Sequence, residues 1–437
     1  MKILALIFGV RANITRRLRV LALLCLVWII SLAFFTVSVQ RQPSRWPLNF
    51  QKRHGLYEIS LEYTVGNGET QRIRIPESAV IPNGRTYVFL DHEDLEEISD
   101  DEWVRPINPI VYRGYPQAID LQDTVSRVMT QRPIIEANIY HPLNGAVYKF
   151  VSIAKSVCYP DNNDSYNYDI IVIVKISVSA FERRQLFRKT YGNWVNENAG
   201  RFTGLRIGLV FSMGMPRARA DRTFVRGSRE FELWGRSGDG LEPKALKNTR
   251  YLLAKETNEY GDLVIGAFED TYFNLTMKTH YSFIWASTFC RETRPDFLFI
   301  DEDIPFSPQA LDLMISSMPK FHRMNLFHGK VETKNVPIRF GSQDDQRWAV
   351  LKSEVPFPLY APYLQGIYIV VGFSQVERIA LGMMFTKYFP IEDAWLGLVA
   401  NRLDIVARNI HEFIERKDML IEDRSAFEPV DSKIFSR

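Results

Sequence analysis

From Val20 to Val39 the chain reads VLALLCLVWIISLAFFTVSV, 20 residues without a charge. At helical rise that run crosses about 30 Å of hydrocarbon. Thr36 and Ser38 offer small residues where a signal peptide is cut. Signal cores run only about 7–15 residues, however, so the pattern predicts an uncleaved anchor over 20–39. Residues 40–55 form a polar, Pro-containing tether, and beyond it LYEISLEYTVGNGETQRIRI alternates around Asn67-Gly68, a hairpin signal. Asp91 to Glu102 is crowded with acids and reads as a solvated loop or a short helix face. Short strands and Pro-punctuated turns predict a small β-rich module over 56–160.

The pattern changes at Tyr168. DIIVIVKIS (169–177) is a continuous apolar run of the kind buried on both faces of a sheet. The basic amphipathic segment AFERRQLFRKTYG follows, then a second strand, LRIGLVFSMG (205–214). KALKNTRYLLAKETNEYG predicts a helix stopped by Gly261, and DLVIGAF a third strand. TYFNLTMKTHYSFIWASTFC has helical spacing, with Leu275, Thr279, Phe283 and Ala286 on one face. DFLFIDED (296–303) is a fourth strand running straight into acid. Strands alternating with helices predict an α/β domain with a mainly parallel central sheet and its ligand site at the carboxyl ends of the strands.

Composition narrows the class. With 46% hydrophobic and 24% charged residues over 437 positions, the chain is neither a disordered nor a repeat sequence. The net charge of +3 is not a nucleic-acid footprint. Lys2, Arg11, Arg16, Arg17 and Arg19 place +5 ahead of the apolar run, leaving −2 for the remainder. Under the positive-inside rule residues 1–19 are a cytosolic tail and the rest is luminal. Outside the span, Cys158 and Cys290 fit either one disulfide in an oxidising lumen or two separate buried thiols. Sequons stand at Asn13, Asn163 and Asn274, with Asn163 in a polar loop the accessible one.

Two acidic constellations carry the chemistry. Asp301-Glu302-Asp303 ends the fourth strand, and an Asp-x-Asp pair offers hard oxygen ligands suited to Mg²⁺ or Mn²⁺. A metal there would bridge a nucleotide diphosphate; an acidic strand-to-loop turn is the plainer account. Glu392-Asp393 opens an apolar helical segment. Complementing a helix N-terminus needs no catalysis, whereas a general base would deprotonate an acceptor hydroxyl. Between them VPFPLYAPYLQGIYIVVG suits either a pocket-lining loop or ordinary packing. HExxH and GxSxG are absent, which removes the usual support for a hydrolase.

In their order, these blocks resemble the β1,3-galactosyltransferase-type family of inverting Golgi glycosyltransferases. Arg184-x-x-Phe187-Arg188-x-Thr190-Tyr191 is similar to that family's first motif. Glu269 to Thr279, with Trp285 and Cys290 behind it, is similar to its most distinctive block. Asp301-Glu302-Asp303 falls where the family has its metal-binding triplet. Tyr360-x-Pro362-Tyr363-x-x-Gly366 and Glu392-Asp393-x-x-x-Gly397 complete the series over about 168–410. Tyr191, Pro305, Ile369 and Gly372 depart from the pattern and bear on sugar preference.

The resemblance implies a GT-A-like nucleotide-sugar-binding domain over 168–425. It also implies a single-pass type II Golgi membrane protein with a UDP-sugar donor, a glycan acceptor on glycoprotein or glycolipid, and Mn²⁺ or Mg²⁺. Asp303 would be the principal metal ligand, with Asp301 and Glu302 supporting the metal, the ribose or the sugar. Asp393 would be the catalytic base, oriented by Glu392. Arg184 and Arg188 would hold donor phosphates, or else form a salt bridge to the core. His411 lies beyond the last motif, where it would complete a metal shell or pack as an ordinary histidine. Asn274 would start a helix rather than carry a glycan. Galactose is the implied donor sugar and N-acetylglucosamine the alternative; a catalytically silent, membrane-tethered glycan-binding protein is the rival from another class.

Overall fold

The computed structural model describes residues 46–410 except 68–72, 82–88, 137–140, 160–167, 193, 196–203, 218–222, 227–228, 233–240 and 342–347. The apolar run 20–39, Asn13, Asn163, His411 and residues 411–425 of the expected catalytic domain lie outside the described residues. Among those described, no helix is long and apolar enough to cross a membrane.

The core is one 11-stranded sheet. Its strands are β1 (Leu48–Arg53), β2 (Leu56–Leu61), β3 (Val147–Ser152), β4 (Ile170–Lys175), β5 (Trp194–Val195), β6 (Arg206–Met215), β7 (Leu263–Glu269), β8 (Asp296–Asp301), β9 (Phe327–Glu332), β10 (Tyr363–Val371) and β11 (Arg408–Asn409). The order is β1-β2-β3-β7-β6-β4-β8-β10-β9-β11, with β5 on β6. Helices α1 (Leu121–Met129), α2 (Phe181–Thr190), α3 (Pro243–Tyr260), α4 (Leu275–Phe289), α5 (Pro308–Ser316), α6 (Phe373–Met384) and α7 (Glu392–Arg402) surround it.

The expected mainly parallel sheet is in fact mixed. The central β7-β6-β4-β8 group is parallel, as is the short β9-β11 pair at one rim, while β1, β2, β3 on one side and β10, β9 on the other join antiparallel. The centre follows from composition: every residue of Ile170–Lys175 is buried, as a strand covered on both faces requires. The wing strands β2 and β3 alternate between buried and more exposed residues, as antiparallel strands covered mainly on one face do.

The expected separate module over 56–160 gives way to an extension of that sheet. Its strands β2 and β3 continue the ladder, and its apolar residues (Ile59, Trp103, Val111, Tyr115) share one cluster with Phe283, Trp285 and Trp395. Residues 48–53 of the expected tether are strand β1. The hairpin lies at His54-Gly55, both at positive φ (49° and 80°), which is the two-residue turn geometry that twists with its strands. At the other signal, Val65–Asn67 pairs in parallel with Ile134–Glu136 instead of folding back at Asn67-Gly68. The acidic stretch 91–102 holds a four-residue helix, Asp94–Glu97. Its Asp100 binds Arg339 (3.1 Å) and Lys352 (2.5 Å) from the loop before β10.

Of the two readings left open for the cysteines, the structure has the disulfide. Cys158–Cys290 closes a 132-residue separation between the end of the β3 region and the end of α4. Cys158→Ser/Cys290→Ser is expected to lower unfolding free energy by about 2–4 kcal/mol in urea titrations, since the cross-link restricts the unfolded chain.

Candidate active site

Two carboxyl-terminal strand ends and the start of a helix meet at one place. Lys175 closes β4, and on the neighbouring strand Asp301 stands directly opposite in register. The Lys175 ammonium is 4% exposed and lies 2.9 Å from Asp301 Oδ1 and 3.2 Å from Glu392 Oε1. Burial opposes its charge, but the two carboxylates outweigh that and hold the group above its ordinary value.

Glu392 and Asp393 form the first turn of α7, as their placement before an apolar run predicts. Gly397 lets that helix lie directly on the start of β10, for a Cβ there would sit 2.2 Å from Tyr363 Cβ. Gly366 leaves room for the charged cluster: its Cβ would fall 3.4 Å from both Lys175 Nζ and Glu392 Oε1. The Gly366 amide donates to Asp393 Oδ2 at 3.4 Å, and the Ala394 amide donates to Oδ1 at 2.7 Å. Burial, then the neighbouring Glu392, pushes the Asp393 carboxyl from 3.8 up to about 7. Burial likewise raises Asp301 to about 6 against the pull of Lys175, although 41% of its side chain still faces the cleft.

The cleft they share encloses about 670 Å³ and is walled by Tyr272, Trp348, Tyr360 and Tyr363 beside Asp301, Glu392 and Asp393. Acids and aromatic faces line it together. The Trp348 indole donates to the Tyr272 hydroxyl at 2.6 Å.

The Glu269–Thr279 block anchors the strand ends. Asp270 is fully buried, pairs with Lys278 at 2.8 Å and accepts from the Val178 amide at 2.8 Å, while Lys278 also donates to Ile176 O. Thr276 donates to Phe389 O, just ahead of α7, and the Asn274 amide donates to Glu269 O. Asn274 stands at the start of α4 but its side chain makes no cap there; its amide is tied instead to the backbone five residues earlier.

The remaining expected site residues are distributed unequally. Glu302 accepts from the Ser177 amide at 3.1 Å, and burial raises its carboxyl. Asp303 is exposed beyond the strand end. Arg184 and Arg188 are not among the cleft residues and take the salt-bridge alternative. Arg184 is fully buried and clasps both oxygens of Glu256, and Arg188 binds Glu256 and Asp262 at 2.7 Å each. Their donors face carboxylates of α3 and its end, which is the salt-bridge alternative of the two expected roles. Lys175 escaped the sequence reading, and its signal was a cation closing an apolar strand that is buried on both faces.

Residues 240–411 match the galactosyltransferase family. Among curated proteins the chain is similar to human UDP-GlcNAc:betaGal beta-1,3-N-acetylglucosaminyltransferase 9, 30% identical over 247 residues, 56% of this chain and 55% of that protein. It is 29% identical to human beta-1,3-galactosyltransferase 5 over 211 residues, 46% of this chain and 62% of that protein. Human lactosylceramide 1,3-N-acetyl-beta-D-glucosaminyltransferase is 24% identical over 275 residues, 62% of this chain and 63% of that protein. The matches thus span roughly half to two thirds of those relatives. The matched span holds every cleft residue named above.

Because Lys175 draws the Asp301 carboxyl down, Lys175→Met is expected to move it upward from about 6. Carboxyl-carbon NMR titration reads that shift, and an unmoved resonance refutes the coupling.

Proposed function

Because this chain belongs to the β1,3-glycosyltransferase family, we propose that it moves a hexose from a UDP-sugar to a glycan hydroxyl, forming a β1,3 linkage with inversion. The observation that carries the reading is a buried carboxylate, Asp393, raised by its surroundings and set in one cleft with Asp301, Glu392 and an aromatic wall. A base poised near neutral pH suits removal of a hydroxyl proton.

In the proposed reaction the acceptor oxygen attacks the anomeric carbon as Asp393 takes its proton. The bond from that carbon to the diphosphate oxygen breaks, and the electron pair leaves with UDP. The proton on Asp393 then passes to solvent at the cleft mouth. Glu392, held by Lys175, keeps the first turn of α7 aimed at the acceptor. Base and leaving group flank the sugar, so one displacement inverts the centre without a covalent enzyme intermediate.

A diphosphate entering this cleft meets Asp301, Glu392 and Asp393, with Asp303 exposed just beyond the strand end and the ammonium of Lys175 already shared by two of these acids. Among the described residues no group of three or more metal-ligating side chains is assembled. Two carboxylates with substrate phosphates completing the shell is how Mg²⁺ and Mn²⁺ are commonly held, so the donor set fits such an ion. Asp303 and Asp301 would hold it, and when bound it supplies positive charge against the departing diphosphate.

Galactose from UDP-galactose is the proposed donor sugar. UDP-N-acetylglucosamine is the second reading, favoured by the names of two of the relatives above. The acceptor is a glycan of a glycoprotein or glycolipid. The reading includes type II anchorage in the Golgi membrane through Val20–Val39, supported by its basic flank.

Asp393→Asn is expected to cut transfer about a thousandfold while UDP binding by calorimetry holds. Wild-type turnover in that variant would sink the assignment. With Asp393 near 7, kcat/KM should fall about tenfold per pH unit below that value, because only the ionised base works. The stability linkage has the opposite sense. A carboxyl raised by folding costs stability as pH climbs from its unfolded value near 3.8 towards 7. A donor screen with and without Mn²⁺, reading UDP release and the linkage formed, separates the two sugars and tests the metal.

A further inference from the structure

The cleft's aromatic wall does not stand unaided. Ile338 and Trp348, which face the cleft, belong to a loop closed at its neck by a bridge from Ile338 to Ala349 and by the Val350 amide donating to Ile338 O at 2.9 Å. Outside that neck lies a two-stranded ribbon, Thr223–Arg226 with Arg229–Glu232, which is not part of the main sheet. Phe224 and Phe231 of the ribbon pack on Phe273, at 5.1 and 5.3 Å, next to the cleft residue Tyr272. Phe231 also meets Phe340 at 5.6 Å.

Arg226 sits where these pieces converge. Its guanidinium lies 4.9 Å from the Phe231 ring, 5.5 Å from Phe340 and 5.8 Å from Phe273. Its edge reaches Glu354 at 2.9 Å, both side chains 11% exposed, and donates to Ala349 O beside Trp348. Glu354 in turn accepts from the Leu351 amide at 2.8 Å. A planar fork can satisfy a carboxylate and a carbonyl at once while its faces stack on rings; an ammonium cannot.

We propose that Arg226 is a positioning residue for acceptor binding, latching the ribbon to the loop neck so that Trp348 and Tyr272 present a fixed aromatic wall. This rests on the glycosyl-transfer reading, in which the acceptor must touch Asp393 and so lies in the same cleft as that wall. Sugar rings bind aromatic faces through their C–H surfaces, so a displaced indole weakens an acceptor that has only its sugar rings to bind with more than a donor held through its diphosphate.

The test uses the full chain with Arg226→Lys and Glu354→Gln, the second carrying it if the first does not fold. Acceptor KM is expected to rise about tenfold, while donor KM and acceptor-independent UDP release stay at wild-type values. Exchange of the Val350 amide should quicken in both variants, with the Ile410 amide, bonded to Gly329 O, as the unmoved control. Donor and acceptor KM rising together, or unchanged acceptor KM in folded variants, overturns the proposal. If the wild-type chain transfers no sugar, the activity reading fails, and Val350 exchange still decides whether the latch exists.

Discussion

One ammonium group sets the spacing of the groups facing the cleft. Lys175 ends a strand whose every residue is buried, where an unmatched charge would be expelled. It stays because Asp301 reaches it across the sheet and Glu392 reaches it from α7. The ion cluster therefore welds the parallel centre of the fold to a helix some two hundred residues further along the chain. Removing Lys175 would leave two neighbouring carboxylates without their shared cation, so the ammonium holds the groups as a unit. Gly397 is the steric counterpart, since any side chain there would force the helix off β10, while Gly366 leaves a close but unstrained berth for the cluster.

How much of this was legible follows the strength of local pattern. The four parallel strands stood out because continuous apolar runs have few other uses, and α7 began where the acids preceded an apolar segment. Strand β1 did not, for LNFQKR at a sheet edge is only half covered and carries no clear alternation. Its turn is His54-Gly55, a weaker signal than the Asn67-Gly68 dipeptide that drew attention instead. The sheet was read as mainly parallel because its antiparallel wings come from such half-exposed pieces.

The site shows the same division. Acids clustered within three residues are visible in one dimension, whereas an ion pair across the fold is not. Arg184 and Arg188 occupy one helical face, yet only the folded chain reveals that Glu256 and Asp262 await them. In α4 the single apolar face expected from spacing widened to burial on all sides, because the helix lies between the sheet, α6 and α7. Asp270 and Lys278 likewise look like ordinary surface charges in sequence, and they are buried as a pair that holds two strand ends together.

The edges of the sheet have a consequence of their own. Among the described residues, one rim of the sheet is β11, only Arg408–Asn409 and both exposed, and the other is β1, which ends in Lys52 and Arg53, also exposed. Unpaired backbone at such a rim invites strands from other chains, and short length with cationic side chains discourages them. An eleven-stranded sheet thus closes on itself chemically rather than by curling into a barrel. A crowded compartment full of extended, partly folded chains would find little purchase there.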